Sequence, residues 1–149
     1  MSEHRAEIDW KRTTSDFSYE TYNRDHEWTF DAGITLRASA APEYFGSKSC
    51  LDPEKAFVAS LSSCHMLTFL AVASSKNLVV DSYHDAAVGH LEKNAEGRLC
   101  ITRVILRPRV VFGGERTPGP DEIRELHDKA HHHCLIANSV KTDVTVEPQ

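Results

Sequence analysis

The spacing of apolar positions changes several times along the chain, and each change marks an element. Trp28-Thr29-Phe30 and Ile34-Thr35-Leu36 alternate on either side of Asp31-Ala32-Gly33, which predicts a hairpin with glycine in its turn. An earlier strand is expected over 6–12 or over 18–22, and 40–51 reads as a loop. Asp52 then offers an N-cap, Pro53 fits the first helical position and Glu54 suits the positive end of the dipole, so a helix is predicted from 53 to 76 or 77. It is apolar almost all round, which predicts burial on most sides, at an interface in part. Two long strands follow, over 79–93 and 98–112, joined by Asn94-Ala95-Glu96-Gly97. In the second, Thr102, Val104, Leu106 and Val110 share one face and Arg103, Arg107 and Arg109 the other, while Pro108 argues for an edge or a bulge. After a loop over 113–120, Asp121 is expected to cap a second helix reaching about Ala137, and 140–146 closes the chain as a strand. Strands, helix, strands, helix, strand is the order of an antiparallel α+β domain rather than a parallel α/β one.

At 149 residues and 40% hydrophobic, the chain is expected to form one domain over 1–149. A net charge of −5 gives no electrostatic case for nucleic acid or an anionic membrane as partner. The opening MSEHRAEIDWKRTT has no apolar core of the signal-peptide kind. The most apolar stretch, 56–73, is interrupted by Ser60, Ser62, Ser63, Cys64 and His65, too polar at its centre to span a bilayer. A cytoplasmic protein is therefore expected, and in a reducing cytosol Cys50, Cys64, Cys100 and Cys134 are free, metal-bound or redox-active rather than a static disulfide framework.

Two of these cysteines carry the chemistry. Phe57 and Cys64 are seven apart, about 20° around a helix axis, with Leu61 and Thr68 on the same stripe. Ile123 and Cys134 are eleven apart, again about 20°, with Leu126 and Ala130 between them. Ordinary buried cysteines would show this placement too, and Cys50 and Cys100 are read that way. Cys64 differs in being crowded by Ser60, Ser62 and Ser63; both it and Cys134 adjoin a histidine, and Glu54 at the helix start could anchor an arginine.

Asp52-Pro53-Glu54, then Ala59, then Ser63-Cys64 ten residues after the glutamate, resembles the signature helix of the OsmC/Ohr family of osmotically induced and organic-hydroperoxide-resistance proteins. Cys134, the stretch Ile136 to Val140 and a last strand resemble that family's second cysteine and its surroundings, and the likeness runs from Trp28 to the end of the chain. It implies antiparallel sheets wrapped around a long buried central helix, in an intertwined homodimer with active sites at the subunit interface. It also implies a thiol-dependent peroxidase acting on organic hydroperoxides without metal or prosthetic group. On that pattern Cys64 is the peroxidatic residue, and Cys134 closes a disulfide with it that an external dithiol, often a protein-bound lipoyl group, reopens. Such a thiol calls for a neighbouring cation. The resemblance assigns this to Arg24, with Arg37 in reserve and Glu54 pairing with the arginine to aim it; Arg24 belongs either to the same chain or to the partner subunit. The chain departs from the pattern in having Leu135, where proline commonly follows the second cysteine, and in the run His131-His132-His133.

Three other readings fit the same residues. Cys64, His65, Cys134 and one of His131 to His133 are zinc-ligand types, although no compact motif spaces them. A cysteine hydrolase would need a distant histidine as base, such as His84, His90 or His133, because His65 points about 100° away from Cys64 on a helix. A non-catalytic binding module could keep the fold without the chemistry.

Overall fold

In the computed structural model, which describes residues 1–149, the earliest strand settles at β1 (Ala6–Asp9). It pairs antiparallel with β2 (His26–Phe30), and β2 with β3 (Ile34–Ala38). The expected hairpin is formed, and its turn holds Ala32 at φ 62° and Gly33 at φ 73°, the left-handed region in which glycine costs least. The alternative strand over 18–22 is instead a turn closed by the Thr21 and Tyr22 amides on the Ser18 carbonyl. In the loop before the long helix, a Cβ on Gly46 would lie 1.6 Å from the Ala40 carbonyl oxygen, so only glycine lets the chain close there.

Helix α1 (Pro53–Ser75) starts as expected, with the Lys55 amide donating to Asp52 Oδ1 at 2.8 Å. Where the sequence reads as one domain, the chain groups into two compact units, Met1–Ala56 and Phe57–Gln149. All-round burial of α1 is corrected for the single chain. Only Leu61, His65, Phe69 and Ala73, spaced four apart, are fully buried, while Leu67 on the opposite stripe keeps 60% of its surface exposed.

The two long strands each break in two. The first gives β4 (Val79–Asp85) and β5 (Val88–Lys93); the second gives β6 (Leu99–Leu106) and β7 (Pro108–Gly113). Proline has no N–H to continue the ladder. At the break the Arg107 amide turns to Asp85 Oδ1 at 2.6 Å, and Ser62 Oγ donates to Asp85 Oδ2 at 2.5 Å. β4 pairs with β7, and β5 with β6. The pairings are antiparallel, as expected, except for the last strand, β8 (Asp143–Val146), which runs parallel to β6 after the return through β7 and the second helix.

That second helix, α2, spans Pro120–His133. Pro120 opens it and Gly119, not Asp121, is the cap. It stops four residues short of Ala137 because Cys134 turns extended (φ −68°, ψ 110°) and the Asn138 side-chain amide takes the His132 carbonyl at 3.0 Å. Two cores form along α1. Leu61 packs with Val104 and Leu106, and Phe69 and Ala73 pack with Leu78, Leu126 and Ala130. His65 lies on the same stripe between Leu61 and Phe69.

Candidate functional site

Cys64 sits half-buried at the start of the fourth turn of α1, and Cys134 is fully buried just past the end of α2. Cys134 is therefore not on a helical stripe, as its spacing from Ile123 predicted; the helix has already ended. Both are free thiols, and each is near enough to the other to shift its ionisation. The backbone N–H groups of Ile136 and Leu135, in the turn after Cys134, are the donors whose influence reaches the Cys64 sulfur.

These neighbours split the two thiols electrostatically. Burial raises the pKa of Cys64, but the Ile136 N–H, the Cys134 thiol and the Leu135 N–H together outweigh it and hold the thiol below its ordinary value. The Thr68 hydroxyl is at hand as well, although it already donates to the Cys64 carbonyl at 2.8 Å. Burial pushes Cys134 up, and the neighbouring Cys64 thiol pushes it further. The pair thus has a polarity: Cys64 ionises first and Cys134 keeps its proton.

Cys64 opens onto a cavity of about 660 Å³ lined mainly by apolar groups of Leu67, Ala71, Leu135 and Thr68, with Ser60, Ser63 and His133 at its wall. His133 shares this cavity but makes no hydrogen bond to the thiol, and neither His84 nor His90 reaches it, so no base for a cysteine hydrolase is in place. The zinc reading loses its geometry as well. With the helix ended at His133, the spacing that put His131 and Cys134 on one face is gone, and no three His, Cys, Asp or Glu side chains converge.

Arg24, Arg37 and Glu54 lie in the first unit. Arg24 is buried, its guanidinium 4.0 Å from the Tyr22 ring centroid and within 5.3 Å of those of Tyr19 and Phe45. It donates to the backbone carbonyls of Tyr22, at 2.9 Å, and Tyr19. The expected Glu54–Arg24 pair is not formed within the chain: two guanidinium donors go to those carbonyls instead, and Glu54 Oε2 is buried without a partner. Arg37 is exposed and faces Asp25 at 3.5 Å. Cys50 is buried in the loop before α1 and Cys100 is half-buried on β6.

Two features escaped the sequence reading. One is the pair of backbone donors at Leu135 and Ile136, which depends on where α2 stops. The other is a buried imidazole pair: His65 Nε2 lies 3.1 Å from His127 Nδ1, with the rings nearly parallel. His127 at the core position beside Leu126 was the available signal.

The OsmC-like protein family model matches residues 46–149. Among solved structures, an OsmC-like protein of unknown function from Vibrio cholerae is 46% identical over 100% of both chains, with a TM-score of 0.97. An organic hydroperoxide resistance protein OsmC from Legionella pneumophila superposes at a TM-score of 0.70 and 17% identity, over 99% of this chain and 97% of its own. The organic hydroperoxide resistance protein OhrB of Bacillus subtilis does so at 0.68 and 19%, over 97% and 98%. No functionally curated protein matches the chain.

Proposed function

Because the chain belongs to the OsmC-like protein family, we propose that it is a thiol-dependent peroxidase that reduces organic hydroperoxides. Family membership by itself points to a redox, peroxide-related role. The observation that carries the finer reading is the polarised dithiol: Cys64, open to an apolar cavity, ionises more readily, and the buried Cys134 beside it keeps its proton.

The Cys64 thiolate attacks the distal oxygen of the hydroperoxide, the O–O bond breaks, and the departing alkoxide takes a proton to leave as the alcohol. Sulfur has lost two electrons and stands as a sulfenic acid. Cys134, still a thiol, attacks it; water leaves and the disulfide closes. An external dithiol restores both thiols by exchange, becoming a disulfide itself. Leu67, Ala71 and Leu135 along the cavity suit a substrate with an apolar tail rather than hydrogen peroxide. Arg24, with guanidinium donors to spare, and Glu54, with an unpartnered oxygen, are assigned to the same chemistry as cation and aiming acid. The exposed stripe around Leu67 supports assembly as a homodimer.

The test is intact-mass thiol counting before and after one equivalent of cumene hydroperoxide, with the cysteines mapped by labelling. Loss of two hydrogens confined to Cys64 and Cys134, reversed by a lipoyl dithiol, is expected. Four unreacted thiols would overturn the mechanism.

A further inference from the structure

The peroxidase chemistry leaves the most deeply buried polar group of α1 unused. His65 is 1% exposed and His127 3%, and their ring nitrogens meet at 3.1 Å. This is the one hydrogen bond that joins side chains of α1 and α2.

The pair is costly. Both rings are neutral, so one Nε2–H or Nδ1–H sits in the shared bond and each ring has a second nitrogen left over. His65 Nδ1 and His127 Nε2 are both buried without a partner. Whichever tautomer is taken, one of them carries a hydrogen with no acceptor. Two leucines would fill such a site more stably than two imidazoles with an orphaned donor. What the imidazoles add is a fixed length and direction, which apolar packing lacks.

Their position gives that direction a use. His65 directly follows Cys64 on α1, and His127 lies in the second half of α2, whose end leads directly into Cys134. The two thiols and the bonded imidazoles thus lie between the same two segments, and the imidazole bond is the fixed point. Beyond them, the Phe69 ring lies tilted by 30° against His127 with centroids 4.4 Å apart, and it packs with Leu126 and Ala130. A slide or roll of α2 that parts the sulfurs must first stretch the nitrogen–nitrogen bond.

We propose that His65 and His127 form a positioning bridge that holds the end of α2 against α1, and so sets how readily the Cys64–Cys134 disulfide closes. This rests on the dithiol reading above, but not on its peroxide step. Closure is the exchange of two protein thiols with glutathione disulfide, giving the protein disulfide and two glutathiones, and needs no hydroperoxide. Failure of the peroxidase reading and failure of the bridge are therefore separately visible.

The experiment equilibrates the full chain with glutathione buffers and maps Cys64 and Cys134 by alkylation, giving the effective concentration of one thiol at the other. His127→Leu removes the bond and keeps an apolar filler; it is expected to lower that value about tenfold, in proportion to one lost hydrogen bond. His127→Asn places an amide where Nδ1 stood, and His65→Gln does the same for Nε2; each is expected to stay within about threefold of the unmodified chain. An unchanged value in folded His127→Leu would overturn the proposal, and so would an equal fall in His127→Asn, since packing rather than the bond would then be at work. If His127→Leu does not fold, the unmodified protein still decides. Nitrogen-15 spectra of the histidines are expected to show coupling across the shared hydrogen, and two uncoupled, solvent-exchanging rings would sink the bridge.

Discussion

Cys64 and His65 are consecutive residues on one helix, and the same burial acts on them with opposite results. Cys64 faces donors: two backbone N–H groups and a second thiol turn the cost of desolvation around, so its charged form is favoured. His65 faces acceptors and donors too few for its two nitrogens, so burial wins. Its pKa falls to about 4 through desolvation, with His127 and His131 adding repulsion that nearby Asp85 only partly offsets. His127 falls to about 4 by burial alone. Burial by itself therefore does not say whether a group is reactive. The count of hydrogen-bond partners turned toward its charged form decides.

The sharpest way to break the comparison is to remove the sulfur. Cys64→Ser is expected to slow reaction with cumene hydroperoxide by roughly 10⁴-fold or more, measured as peroxide consumed, and to leave no two-hydrogen loss. Cys134→Ser leaves the polarised thiol without its partner. One turnover is expected, after which the sulfenic acid at Cys64 accumulates and is trapped by dimedone; continued turnover at the unmodified rate would show that the second thiol plays no part.

The sequence displayed these two cysteines, the start of α1 at Asp52 and the hairpin at Gly33, because each is set by neighbours a few residues away. It did not display what depends on distant pairing. The Asp85–Arg107 contact that helps break two strands into four joins residues twenty-two apart. The end of α2 is fixed by the Asn138 amide reaching back to His132, so periodicity carried that helix past Cys134. The same misplaced end hid the Leu135 and Ile136 donors. His65 was visible and was dismissed as a base for Cys64. That judgement holds, but its partner His127, sixty-two residues away, gives it a different task.

The imidazole side of the comparison has its own signature in stability. Both rings stay neutral in the folded protein down to about pH 4, whereas in the unfolded chain they take up protons from about 6.5. Between those values the unfolded state binds more protons, so stability is full above about 6.5 and falls as the pH drops toward 4. Each shift is equivalent to about 3 kcal/mol at most. Denaturant unfolding at pH 7 and pH 4.5 is expected to show a loss of several kcal/mol. The double variant His65→Gln/His127→Asn should lose clearly less over the same range. An equal loss would place the acid sensitivity elsewhere, with His131 and Asp85 the next groups facing the pair.

The smallest expected effect tests the thiol side through one backbone hydrogen. Proline commonly follows the second cysteine in the pattern this chain resembles, and proline carries no N–H. Leu135 supplies one, and it is among the donors that lower the pKa of Cys64. Cys134 already has the extended backbone (φ −68°, ψ 110°) that the residue before a proline favours, which makes Leu135→Pro the substitution to test. The Ile136 N–H remains as the larger donor. The Cys64 pKa is therefore expected to rise while staying under the influence of Ile136, and its alkylation by iodoacetamide at pH 7 to slow by about two- to fivefold. The pH–rate curve should shift to higher pH with its plateau little changed. A fall in the plateau itself would mean that the substitution had closed the cavity, since Leu135 also lines it. An unchanged curve would leave Ile136 and Cys134 as sufficient to polarise the pair.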